Sequence, residues 1–304
     1  MGTTVEANNI NIWYEEFGDK SNETILLIMG ANANCMQWDQ EFIDRLVANN
    51  FHVVRFDNRD VGKSTWFGKE PAFNKFLKLL PNFLLKIIVN SIFGLAVDDK
   101  GKFKFNNPNP EYTLSDMAKD AAALLEVLNI KKAHIIGASM GGMITQIIAL
   151  DHPEKVLTIT PIMTSPGMQN DSLSGPTEEL LEAYKKSFVH NVRGRIEDGV
   201  VEIYRQLTGS RFPFDEQKFR DKLKPVISHG NNPFALHVDA VGASPDRTSR
   251  LNEIKVPALI IHGTEDAILP LDHGMAVADG INDSRKMIMA VSYTHLTLPT
   301  RRGG

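Results

Sequence analysis

Disulfide chemistry is closed to this chain, which holds a single cysteine, Cys35, among 304 residues. One cysteine cannot form an internal bridge, so nothing points to an oxidising compartment, and Cys35 reads as a small buried hydrophobe. Charge imbalance is also slight. Lys and Arg number 33 against 37 Asp and Glu, a net charge of −4. No basic patch carries interleaved aromatics, so nucleic acid is not an expected partner. The N-terminus lacks a charged stretch followed by an apolar run, which excludes a visible signal peptide and predicts a cytoplasmic protein. Long apolar runs are missing too: residues 72 to 97 are rich in Phe, Leu and Ile, but Lys75, Lys78, Pro81, Asn82, Lys86 and Asn90 interrupt them. No transmembrane segment is therefore expected. The nine histidines show no H-x-x-x-H or H-E-x-x-H pairing, so no metal site is expected. Gly62-Lys63-Ser64 imitates the end of a phosphate-binding loop, but Asp57 stands where that loop needs its first glycine.

What remains is an ordinary globular composition, 42% hydrophobic and 23% charged, long enough for one large α/β domain with a cap. Val5 to Ala7 and Ile10 to Phe17 read as strands joined by an Asn8-Asn9 turn. Short apolar runs at Ile25 to Met29, Val53 to Phe56, Ala133 to Gly137, Val156 to Pro161, Ala258 to His262 and Lys286 to Ala290 read as buried strands. Helical spacing falls between them, at 36 to 48, from Thr113 to about Leu128, at Met140 to Leu150 and near 272 to 279. A hairpin followed by alternating strands and helices predicts a mostly parallel central sheet with helices on both faces. Residues 1–162 and 252–290 form this core. Residues 163–251 read as a helical cap after the Ser165-Pro166-Gly167 break, and 66–112 as a lid-like insert. Within the insert, Asn74, Lys78, Asn82, Lys86 and Asn90 recur every four residues, leaving one polar stripe and a wide apolar face. Broken at Pro81, this helix is expected to cover an apolar acyl or aromatic pocket. Packing on the cap or a partner subunit, or contact with a membrane surface, are the alternatives.

Residues 137 to 142 read Gly-Ala-Ser-Met-Gly-Gly, a G-x-S-x-G pattern between a strand and a helix. A nucleophilic serine needs such a sharp turn to lift its hydroxyl clear of the sheet, and small residues on either side to let the backbone close. Ser139 is the expected nucleophile. Its base needs an orienting carboxylate, and both should follow it in the chain in the order acid, histidine. The turn after Ala258 to His262 offers Asp266, with Glu265 as second choice. One oxyanion donor is the backbone N–H of Met140; the Ala31 N–H, beside Gly30 at a strand end, is the other. Only His295 follows the last strand, since His273 is too close to Asp266 on a predicted helix. His262 and His152 sit at element ends, where structural histidines are common.

Gly30 with Ala31 and Asn32, the stretch Arg55 to Thr65, Gly137 to Gly142, and Ile144 to Pro153 together resemble the α/β-hydrolase superfamily. More narrowly they resemble its aclacinomycin methylesterase-like branch, over roughly residues 5 to 165 and 250 to 290. The resemblance implies hydrolysis of a carboxylic ester through an acyl-enzyme, without a cofactor, and leaves the substrate open; a small, apolar ester is what the apolar insert points to. It also implies that Arg59 and Asp60 tie their loop together. The 66–112 insert is longer than is usual in that branch. Cofactor-free haloperoxidase or perhydrolase chemistry on the same triad, or a non-catalytic ligand-binding relative, are the other readings. A dehalogenase or epoxide hydrolase would carry aspartate at Ser139.

The chain end departs from this pattern. Val291 to Thr300 is similar to a translated transposon-type sequencing adapter, and no Gly-x-Gly-His turn surrounds His295. The expectation is that native sequence stops near Ala290, that 291–304 is not part of the fold, and that a final helix is lacking.

Overall fold

The computed structural model describes residues 2–105, 107, 109–210, 213–230 and 232–290. Its eight strands are β1 (Thr3–Ala7), β2 (Ile10–Phe17), β3 (Thr24–Ile28), β4 (His52–Phe56), β5 (Ala133–Ala138), β6 (Val156–Ile162), β7 (Leu259–Gly263) and β8 (Arg285–Met289). They form one sheet in the order β1-β2-β4-β3-β5-β6-β7-β8. Only the β1–β2 and β2–β4 pairs are antiparallel. The hairpin turn is the expected one. Asn8 and Asn9 both take left-handed backbone, φ 49° and 61°, which a two-residue hairpin turn demands and asparagine tolerates.

Ten α-helices are described: α1 (Gln40–Ala48), α2 (Ala72–Leu77), α3 (Asn82–Ala96), α4 (Leu114–Val127), α5 (Met140–Asp151), α6 (Glu178–Val192), α7 (Ile196–Gln206), α8 (Glu216–His229), α9 (His237–Ala243) and α10 (Leu271–Gly280). The alternation of side chains along β3 sorts the core into two layers. Leu26 and Ile28 pack with Leu114, Met117 and Ile144 of α4 and α5 on one face. Ile25 and Leu27 pack with Trp38 and Ile43 on the other. Every residue of β3 and β4 is buried, as strands covered on both faces require. A capping box starts α4: the Asp116 carboxylate accepts from both the N–H and the hydroxyl of Thr113, each at 2.9 Å.

Helices α6 to α9 lie between β6 and β7, where a cap was expected. In the insert, Pro81 does break the helical pattern, separating α2 from α3. Leu77, Leu85 and Val89 are buried against Phe188, Val189 and Val192 of α6, so one side of the insert rests on that helix. β8 is the sheet edge, with Met287 and Ile288 47% and 38% exposed. No described helix is long and apolar enough to cross a membrane.

Candidate active site

Ser139 is the one residue between β5 and α5, at φ 54° and ψ −116°. An L-residue reaches this conformation only when its surroundings enforce it, at a cost of order 1–3 kcal/mol. Those surroundings are visible. The Ser139 N–H donates to the Ile162 carbonyl at 2.8 Å, and the Thr164 hydroxyl donates to the Ser139 carbonyl at 2.7 Å. The pattern's glycines are obligatory for close packing. A Cβ on Gly137 would stand 2.2 Å from the Gly141 carbonyl oxygen, and one on Gly141 would stand 2.2 Å from that of Ile28. The side chain of Ser139 thus emerges from the first turn of a 12-residue helix, whose N-terminal N–H groups favour developing negative charge.

Backbone bonds carry the arrangement across the sheet. Just as Ser139 is held to the end of β6, the Met163 N–H donates to Ile261 of β7 at 2.8 Å. Asp266 lies in the turn after β7. Its Oδ1 accepts from the N–H groups of Ile268 and Leu269 at 2.9 and 3.0 Å. Its Oδ2 is buried and has no hydrogen-bond partner among the described residues. Burial pushes the carboxyl up to about 7, against the lowering effect of the two N–H donors. Glu265 has a different fate: Ser210 of the cap donates to its carboxylate through both N–H and hydroxyl, at 2.5 and 3.0 Å. Of the two expected acids, then, one is bonded to Ser210 in the segment after α7 and the other is turned inward with an oxygen to spare.

The buried histidines near the strand ends each make at least one hydrogen bond, although His262 Nδ1 and His52 Nε2 have no hydrogen-bond partner among the described residues. The two ring nitrogens of His273 meet the Ser165 hydroxyl and the Ser174 carbonyl, at 2.9 and 2.8 Å. Nε2 of His262 donates to the Leu269 carbonyl at 2.8 Å and lies 3.8 Å from Asp266 Oδ2. His229 pairs with Asp57 at 2.7 Å. His295 lies outside the described residues.

The strip from Met29 to Asn32, which includes the expected donor Ala31, is clamped from two sides. Asn58 donates to the Met29 carbonyl at 3.1 Å. One step beyond Ala31, Asn32 takes φ 58° and its N–H donates to His237 Nδ1 at 2.8 Å. His237 Nε2 in turn donates to the Arg59 carbonyl at 2.7 Å. This pair of bonds fixes the neutral tautomer, and burial pushes His237 down to about 4. Met140, the other expected donor, is buried at the start of α5.

Arg59 and Asp60 do tie their loop together. Arg59 makes two 2.7 Å bonds to Asp120 and lies over the rings of Phe67 and Tyr112. Asp60, at φ 72°, accepts from the Phe67, Gly68 and Leu236 N–H groups, the Tyr112 hydroxyl and the Asn232 amide. Burial alone would raise its carboxyl, but these donors hold it below the usual range. Cys35, Asp57 and His229 place possible ligand atoms within 4.8 Å of one another. The Asp57 oxygens, however, already accept from Cys35 N–H, Lys63 N–H and His229, and burial keeps the thiol protonated. His229 and His237 were invisible to sequence reasoning, because a cap histidine that reaches the core leaves no spacing signal.

A serine on a strained strand-to-helix turn, with a buried carboxylate two strands along, defines the hydrolase class of α/β proteins. The chain belongs to the alpha/beta hydrolase fold family, which matches residues 23–300. Among curated proteins it is similar to rhodomycin D methylesterase DauP of Streptomyces sp. (strain C5), 27% identical over 92% of this chain and 88% of that one. It is also similar to rhodomycin D methylesterase DnrP of Streptomyces peucetius, 26% identical over 94% and 89%. Among solved structures, the enol-lactonase from Burkholderia xenovorans LB400 superposes with a TM-score of 0.68 at 19% identity, covering 96% and 93% of the two chains.

Proposed function

We infer that the protein hydrolyses a small carboxylic ester through an acyl-enzyme on Ser139. The carrying observation is the Ser139 turn itself, held in a costly conformation by bonds to Ile162 at the end of β6 and from Thr164 just beyond it. Ser139 Oγ attacks the acyl carbon and passes its proton to an imidazole, which returns it to the departing alkoxide. Water then repeats the sequence in reverse and frees the acid. Asp266 is the orienting carboxylate: its unpartnered Oδ2 is the acceptor that an imidazole N–H requires. By chain order the imidazole is that of His295. The Ala31 and Met140 N–H groups receive the oxyanion. No cofactor takes part in these steps.

The two methylesterases similar to this chain favour a methyl or other short alkyl ester of an apolar acid as substrate. Residues 163–251 are its cap and 66–112 the lid-like insert outside it, in a protein that works in the cytoplasm. The test is labelling with a fluorophosphonate, followed by peptide mapping, alongside turnover of a short-chain ester panel. Label on Ser139 and its loss, together with turnover, in Ser139→Ala are expected; label on another serine would overturn the assignment.

A further inference from the structure

The insert buries one side and exposes the other, and the exposed side is unusual in both shape and charge. Phe73, Phe76, Leu79, Phe83, Ile87 and Leu95 are each more than half exposed, Leu79 reaching 82%. They come from two consecutive helices joined by the short turn at Pro81. On α3, Phe83, Ile87 and Leu95 follow the spacing of one helical face, opposite Leu85 and Val89, which pack on α6. A monomer rarely leaves so many large apolar side chains together in water. The charges around them have one sign. Lys75, Lys78 and Lys86 are exposed, and no Asp or Glu occurs between residues 71 and 97. The chain as a whole is negative, at −4, so this concentration of positive charge runs against its average. Lys78 pairs with Glu70 at 2.5 Å, leaving Lys75 and Lys86 without an ion-pair partner among the described residues.

We propose that the exposed face of α2 and α3 docks on an anionic phospholipid surface. Apolar side chains flanked by lysines are the composition of a helix lying in the boundary between headgroups and acyl chains. The length of α3 fits that posture: 15 residues span about 22 Å at 1.5 Å each, short of a hydrocarbon core about 30 Å thick. A second copy of this chain is the less suited occupant. In a twofold contact each partner would bring the same lysines against the other's, with no carboxylate between residues 71 and 97 of either copy to offset them. Because α3 packs on α6, and α6 carries Tyr184, whose hydroxyl feels the charge of Asp266, a docked insert would set the cap at the membrane boundary, where apolar esters concentrate. The docking itself is independent of the role assigned to Ser139.

The full chain should co-sediment with large vesicles of about 30% phosphatidylglycerol in phosphatidylcholine, and at least roughly tenfold less with pure phosphatidylcholine, given about 1 kcal/mol per lysine near the surface. Lys75→Glu with Lys86→Glu should abolish that preference. Leu79→Ser, Phe83→Ser and Ile87→Ser together should abolish binding to either vesicle. All five side chains are solvent-facing, so melting temperature and fluorophosphonate labelling should hold in both variants, and those readouts separate failure of docking from failure of the hydrolase reading. Equal sedimentation of the wild type and the triple variant would overturn the proposal. So would absence of binding to the anionic vesicles, or a wild-type dimer that the triple variant converts to monomer without any lipid binding.

Discussion

Replacing Asp266 with asparagine should make the protein more stable above neutral pH while stopping its chemistry. The carboxyl is 4% exposed, and burial lifts it from 3.8 to about 7. Between those two values the unfolded chain has already lost the proton that the folded chain keeps. The unfolded state therefore binds fewer protons, and folding stability falls as pH rises through the window. At about 1.4 kcal/mol per pH unit the whole fall is about 4 kcal/mol. It is complete near pH 8 and absent below pH 4. Asparagine keeps an oxygen for the Ile268 and Leu269 N–H groups and removes the charge. At pH 8 the variant should gain of the order of 4 kcal/mol, which at ~2 cal/mol/K per residue corresponds to ~7 °C in Tm. At pH 4 the two proteins should melt together. Denaturant unfolding and calorimetry across pH 4 to 8 measure the difference directly. Turnover should meanwhile fall by about 10⁴, as expected when a triad histidine loses its orienting acid. Matching pH profiles for the two proteins would refute the reasoning, because they would mean that in solution Oδ2 is already paired with a cation.

Ser139→Gly should abolish turnover yet raise stability by about 1 kcal/mol, since glycine holds φ 54° without strain; unfolding of this variant beside Ser139→Ala isolates the backbone effect. His237→Ala frees the Asn32 N–H and the Arg59 carbonyl, so kcat should drop roughly 10- to 100-fold with little change in KM, and His237→Asn, which offers an oxygen near the Nδ1 position, should recover part of it. An equal rise in KM alone would assign His237 to substrate binding instead. If the adapter-like residues 291–300 lack a working histidine turn, the chain should hydrolyse esters at least ~10²-fold more slowly than a chimera carrying a relative's residues after β8. Equal turnover, with His295→Ala inactivating the present chain, would show that its own ending works.

The sheet and the Ser139 turn were legible because short-range chemistry dictates them. Asn8-Asn9 had to turn, Ile25 to Met29 had to be buried, and Gly137, Ser139 and Gly141 had to form a bend that tolerates no side chain at either glycine. Boundaries shifted by a residue or two: the helix expected over 36 to 48 begins at Gln40, after a separate short turn at Cys35–Gln37, because Asp39 caps its first turn. Sequence preferred Asp266 to Glu265, but that Asp266 is buried with a spare oxygen while Glu265 is bonded by Ser210 appears only in the fold. The long-range polar contacts were not legible. His229, Asn232 and His237 answer Asp57, Asp60 and Asn32, and no local pattern announces such pairings. In the insert, spacing identified an apolar helix broken at Pro81 and left packing on the following helices as an alternative to a lid; it did not show that one side would rest on α6 while the other faced solvent.

Those long-range contacts set an order on folding. His229 lies 172 residues after Asp57, Gly230 lies 196 after Asn34, and His237 lies 205 after Asn32. Each joins a loop at the end of an early strand to the last part of the cap. Closing loops of that length is slow compared with forming any single helix. During synthesis at about 5–20 residues per second, the Asp57 and Asp60 carboxylates must wait of the order of ten to thirty seconds for their partners to be made. Until then they stay in water, and the strip from Met29 to Asn32 has no clamp on its far side. The Ser139 turn can form early from its neighbours in the sheet, but the strip from Met29 to Asn32 takes its final shape only when α8 and α9 have docked.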